Sequence, residues 1–220
     1  MKKNLLLLLI LIVSKSLFAD TFPSIIEIED KLSNKKEMKW TKGNIVAEGS
    51  TINGKKDGLW KYYYREKDIS KKIYEGTYKS DQKNGFWSCF DSDEKLISKD
   101  SYKNNQLSGA CLIFYPSGKI CAQTEYSMNV KNGRYLEYYE DGKPKEISWY
   151  TNGEKDGQIN CFYPSGKKQI IGNYTSGEKN GKWTFYNDDN SIQSQGNYDK
   201  DRKIGEWKYT ENGATRTENY

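Results

Sequence analysis

Ile170 to Tyr186 reads I-I-G-N-Y-T-S-G-E-K-N-G-K-W-T-F-Y, with fixed points at Gly172, Tyr174, Gly181, Trp183 and Tyr186. The same grammar runs through most of the chain. The glycine before the tryptophan position recurs as Gly58, Gly85, Gly109, Gly133, Gly157, Gly181 and Gly205, at intervals of 27 and then 24 five times running. An insertion of three in the charged stretch after Tyr64 accounts for the first interval. Seven residues before six of these glycines stand Tyr78, Tyr102, Tyr126, Tyr150, Tyr174 and Tyr198; the first unit has Thr51. Two residues after them come Trp60, Trp87, Cys111, Tyr135, Ile159, Trp183 and Trp207. Five after come Tyr63, Phe90, Phe114, Tyr138, Phe162, Tyr186 and Thr210. Several columns coinciding at a fixed period mark a repeat architecture.

Each unit reads as two short strands, one centred on Gly-Trp and one ending in Gly-x-Tyr. Turn tracts lie between them: Pro116-Ser117-Gly118, Asp141-Gly142, Pro164-Ser165-Gly166 and Asn212-Gly213. Glycine and asparagine accept positive φ, and proline presets φ at its turn position. Strands at this spacing predict an all-β array, and no stretch of it carries a helical apolar period. An isolated hairpin is marginal in water, so each unit needs its neighbours. The expected fold is an elongated single-layer array of stacked β-hairpin repeats held by aromatic ladders across strands. That suits a chain with 35% hydrophobic but 14% aromatic residues.

Tyr74-Glu75-Gly76-Thr77-Tyr78 followed by Lys83-Asn84-Gly85 resembles the MORN repeat, with tryptophan often replacing the final glycine, as in Gly181-Lys182-Trp183. It looks like the bacterial MORN-repeat variant found in proteins labelled YwqK-family antitoxins. The resemblance covers about Met38 to Tyr220 and implies a MORN-like fold in a scaffold or binding module. The departures are Cys111, Ile159 and Thr51 at aromatic positions, and Asp100, Thr124 and Ser148 where the second strand expects glycine.

Three segments are expected: a signal peptide over 1–19, an N-terminal leader or cap over 20–37, and the array over 38–220. Lys2 and Lys3 precede an apolar run from Leu5 to Val13 that is too short to span a bilayer, and Leu17-Phe18-Ala19 offers a cleavage site. The implied location is exported: periplasmic, cell-surface or secreted. Cleavage would remove three lysines and no acid, lowering the formal charge from +5 to +2. A mildly basic protein gives no support for nucleic-acid binding. The array opens with a half unit, since Trp40 to Trp60 aligns with Tyr163 to Trp183. Glu218-Asn219-Tyr220 matches Gly172-Asn173-Tyr174, leaving an open edge where self-association by strand pairing is one expectation and a solvated edge the other.

The chain has no histidine, so it lacks the commonest general base and metal ligand. No phosphate-binding glycine motif occurs, and the expectation is a non-enzyme with no cofactor and no metal site. Cys89, Cys111, Cys121 and Cys161 permit disulfides in an exported protein. If the Pro116-Ser117-Gly118 turn is a three-residue loop, Cys121 faces Ile113 and Cys111 faces Gln123, an awkward pair for a bridge. Small apolar substitutes in the ladder are the competing reading. A lysine stands two before the ruler glycine at Lys56, Lys83, Lys131, Lys155, Lys179 and Lys203. Stacked, they would form either a basic rim for an anionic partner or a solvated edge that blocks aggregation. Trp60, Trp87, Trp183 and Trp207 read as ladder core; the competing reading is a glycan platform, since Asn180 to Tyr186 faintly resembles choline- and glucan-binding cell-wall repeats. Trp149 breaks the polar pattern of its column and is the single best candidate for an exposed contact residue.

The leading functional expectation is an exported protein-interaction scaffold in the bacterial envelope with an unidentified protein partner. The alternatives are an antitoxin or immunity protein, whose partner is a toxin, and a surface module for carbohydrate or anionic phospholipid.

Overall fold

The computed structural model describes residues 25–28, 35–67, 69–211 and 213–220. The signal-peptide reading of 1–19 and part of the leader lie outside the described residues. All regular structure in the described residues is β. The strands are β1 (Ile25–Ile28), β2 (Lys35–Lys42), β3 (Ile45–Ile52), β4 (Lys55–Glu66), β5 (Ile69–Lys79), β6 (Gln82–Phe90) and β7 (Leu96–Lys103). There follow β8 (Gln106–Phe114), β9 (Ile120–Ser127), β10 (Val130–Tyr138), β11 (Pro144–Thr151), β12 (Glu154–Lys155), β13 (Gly157–Phe162) and β14 (Lys168–Thr175). The series ends with β15 (Glu178–Lys179), β16 (Gly181–Tyr186), β17 (Ile192–Asp199), β18 (Arg202–Glu211) and β19 (Ala214–Asn219). β12 and β13 are two pieces of one strand, as are β15 and β16, so the sheet has 17 strands among the described residues. Each pairs antiparallel with its neighbours in chain order, from β1 on β2 to β18 on β19. The result is a single open meander. Within the leader, Ile25–Ile28 forms a strand on β2.

Two glycine columns recur for different physical reasons. The ruler glycines all have positive φ, from +60° at Gly205 to +114° at Gly133, a conformation that costs a side chain about 1–2 kcal/mol. The second column, Gly49, Gly76, Gly172 and Gly196, has ordinary strand dihedrals and is required by space. A Cβ at Gly76 would lie 2.1 Å from the Trp87 ring, and the other three would meet Trp60, Trp183 and Trp207 at 2.3–2.4 Å. Each glycine therefore sits under the tryptophan eleven residues on.

This pairing explains the departures in the middle units. Asp100 faces Cys111, Thr124 faces Tyr135, and Ser148 stands in the same place relative to Ile159. Wherever the indole is absent, the glycine is too, and a side chain fills the space.

The ladder consequently runs in two stretches. One cluster joins Ala47, Trp60, Tyr62, Tyr74 and Trp87; the other joins Ile159, Trp183 and Trp207. Between them the same face carries ion pairs, Glu137 with Lys145 and Glu146 with Lys155, both at 2.6 Å. The Ser148 hydroxyl donates to Glu146 at 2.7 Å, which satisfies that buried polar group.

Both turn edges are stitched between units. On one, Asp81, Asn105, Asn129 and Asp201 adopt positive φ and accept a hydrogen bond from the backbone N–H of Lys56, Lys83, Leu107 and Lys179. On the other, the hydroxyls of Tyr115, Tyr139 and Tyr163 donate to the carbonyls of Tyr138, Phe162 and Tyr186 at 2.6–2.7 Å. The ammonium groups of Lys119, Lys143 and Lys167 donate to the carbonyls of Glu140, Pro164 and Asp188.

The hairpin register differs from the three-residue expectation. Tyr115 N–H bonds the Lys119 carbonyl, Phe114 pairs with Ile120, and Cys121 is the extra residue of a bulge. Ala122 then faces Ile113, and Thr124 faces Cys111. The four cysteines form no disulfide.

Candidate interaction faces

A single-layer sheet offers two faces, and alternation along each strand assigns residues to one or the other. The ladder face holds the tryptophans. Trp60, Trp87, Trp183 and Trp207 are 0–2% exposed, and each indole N–H donates to a backbone carbonyl, of Ser50, Thr77, Asn173 and Asn197 respectively. The tyrosine column meets them edge-on: Tyr78 on Trp87 at 4.8 Å, Tyr174 on Trp183 at 5.2 Å and Tyr198 on Trp207 at 5.0 Å. Such pairs contribute roughly 0.5–1.5 kcal/mol each beyond area burial. In the middle units Tyr150 meets Tyr135 edge-on at 6.0 Å, while burial holds the Tyr102 and Tyr126 hydroxyls protonated.

The six column lysines lie on this face, half-buried, with their ammonium groups over rings. Lys56 stands 4.6 Å from the Trp60 ring centre, Lys83 4.6 Å from Trp87, Lys179 5.0 Å from Trp183 and Lys203 4.6 Å from Trp207. Lys131 lies over Tyr150 and Lys155 over Tyr174. They lid the ladder instead of projecting from a turn edge. Their signal was legible as spacing, but spacing alone does not give the side on which a residue sits.

Burial pushes the Lys83 ammonium down to about 8, against the attraction of Asp100 and with the repulsion of Lys56. Its unfolded value is 10.5, so above pH 8 the folded chain releases a proton that the unfolded chain keeps. Stability carried by this group therefore rises with pH from about 8 toward 10.5. Above pH 9 the Cys89 and Cys161 thiols, which burial raises from 9.0 to about 11, act in the opposite sense. Denaturation midpoints should increase between about pH 8 and 9, and Lys83→Met should flatten that rise. An unchanged slope in the variant would assign the effect elsewhere.

The opposite face repeats in the aromatic column five residues after the ruler glycine, Tyr63 to Tyr186, and varies at the positions between. The position after the ruler glycine reads Leu59, Phe86, Ala110, Arg134, Gln158, Lys182 and Glu206. The position after the space-filled glycine reads Ser50, Thr77, Ser101, Glu125, Trp149, Asn173 and Asn197. Leu59 and Phe86 are each 52% exposed and Trp149 37%. Trp149 is opposite Arg134 in register, and the Arg134 backbone N–H donates to Glu125. Leu136 and Ile147 face each other beside them.

Residues 107–128, 131–152 and 179–200 match the MORN repeat variant family. Each matched stretch begins two residues before a ruler glycine, at Leu107, Lys131 and Lys179, so the matches coincide with the structural unit. No curated protein matches the chain. In the matched stretches the glycine, tryptophan-position, tyrosine and lysine columns fall on the ladder face, where packing sets them, and the aromatic column of Phe114, Tyr138 and Tyr186 alternates to the other. Among the described residues no group of three His, Cys, Asp or Glu side chains stands close enough to hold a metal ion.

At the far edge, Glu218 opposes Trp207 and accepts hydrogen bonds from Tyr220 and Arg216. It occupies the glycine place of the pattern. A strand adding here in the same register would bring its tryptophan against the Glu218 Cβ.

Proposed function

We propose that this chain is a non-enzymatic, exported interaction scaffold that holds a protein partner on the face opposite the ladder. The observation that carries this reading is the contrast between the two faces. On the ladder face the columns that repeat are those whose side chains pack one unit on the next. Leu59, Phe86, Arg134 and Trp149 answer to no such packing rule, yet they include large exposed apolar groups. Exposed aromatic and arginine side chains are the usual anchors of protein interfaces. The absence of histidine from the sequence supports the non-enzymatic part. The lysine-flanked leucine run at the N-terminus supports export.

The test is a pull-down from envelope and culture supernatant with the Asp20–Tyr220 chain as bait, read by mass spectrometry. One stoichiometric protein is expected, lost with Trp149→Ala or Arg134→Glu and kept with Lys131→Met on the ladder face. Capture that ignores the first two changes, or recovery of glycan or lipid alone, overturns the reading. A captured toxin would make the scaffold an immunity protein.

A further inference from the structure

The sixth and seventh units break the stitching of one turn edge. Tyr115, Tyr139 and Tyr163 each span to the carbonyl five residues after the next ruler glycine. At the following place in that column stands Asn187, whose side-chain amide donates instead to Ser191 at 2.9 Å. The next is Glu211. The carbonyl that a tyrosine at 187 would reach belongs to Thr210, which itself replaces an aromatic residue. These departures converge. A cleft of about 590 Å³ opens there, lined by Asn187, Gln193, Ser194, Tyr209, Thr210 and Glu211. Its size falls among small-molecule sites, roughly 300–1,000 Å³.

We propose that this cleft binds an uncharged saccharide. Every lining side chain carries a hydrogen-bonding group. Two amides and three hydroxyls both donate and accept, matching sugar hydroxyls, which also do both. Glu211, exposed at the rim, accepts two hydroxyls and disfavours an anionic ligand. Tyr209 lines the cleft with its side chain held in place by the Lys203 ammonium at 2.7 Å from its hydroxyl, by Arg216 over its ring and by Trp207 stacked beside it. The tyrosine stitch spans three consecutive units, and the place where a packing pattern ends is where function can be set against it. The site lies apart from the Trp149 surface and stands or falls independently of the scaffold reading.

The test titrates the purified Asp20–Tyr220 chain with maltotetraose, cellotetraose and the tetramer of N-acetylglucosamine, with tetragalacturonate as the anionic control. Backbone amide shifts give both location and affinity. At least one neutral probe should bind with a dissociation constant on the order of 1 mM, with shifts centred on the six lining residues. Asn187→Tyr restores the stitching tyrosine and fills the cleft; it should keep or raise the melting temperature and weaken binding at least about tenfold. Glu211→Gln, at an exposed position, should also weaken it without altering the fold. The proposal is overturned if no neutral probe shifts the cleft amides, if tetragalacturonate binds more tightly than the neutral probes, or if both variants bind as the parent does.

Discussion

Trp87→Ala is expected to cost about 3–5 kcal/mol of folding stability, a large share of what a domain of this kind possesses. Trp87 is 0% exposed although the sheet has only one layer. Its burial is made by side chains from three strands: Tyr74 at 4.9 Å, Tyr78 at 4.8 Å and Tyr62 at 6.2 Å, with Lys83 over the ring. Truncation removes all of these contacts and the hydrogen bond to Thr77, and no second layer exists to close the space. Urea denaturation should show a lower midpoint with the slope unchanged. Trp149→Ala is the control, because Trp149 lies on the opposite face and 37% exposed. Its effect should stay within about 0.5 kcal/mol. Equal shifts for the two would mean that the ladder is not what holds the sheet.

The second large effect is a coupling. Ile159→Trp alone should destabilise by about 1–3 kcal/mol, because Ser148 carries a Cβ where the tryptophan units carry glycine. Ser148→Gly alone loses the hydroxyl bond to Glu146 and places glycine in a strand, at about 1 kcal/mol or more. Together they rebuild the arrangement of Gly172 under Trp183, where a Cβ would lie 2.3 Å from the indole. The double variant should therefore be more stable than the sum predicts, by about 1–3 kcal/mol. Additivity to within about 0.5 kcal/mol would break the claim that the two columns are one device.

The lysine column shows how sequence spacing and burial can part company. Charge at a fixed distance from a turn glycine reads as a rim, since isolated lysines are seldom buried. Here each stem crosses the ladder and sets its ammonium over a ring, which spreads the desolvation cost against the ring quadrupole. Spacing contains no information on that choice. The stitching columns Tyr115, Tyr139, Tyr163 and Lys119, Lys143, Lys167 were equally regular in the sequence. They escape notice because each spans only three units and sits in tracts that read as turn.

The sequence alone determined the repeat length, the all-β class, the strand and turn positions and the antiparallel meander, because all of these follow from local periodicity and turn chemistry. Matches to the MORN repeat variant at three of the units agree with that reading. Tertiary structure alone decided which side of the sheet each column occupies and which glycine lies under which tryptophan. It also decided where the ladder breaks and where a cleft opens. Those depend on strand register, and most hairpins carry a bulge that shifts register by one residue, as between Ile113 and Phe114. A one-residue shift moves a side chain to the other face. In a sheet with a single layer, that choice of face separates a residue that holds the fold from one that is open to a partner.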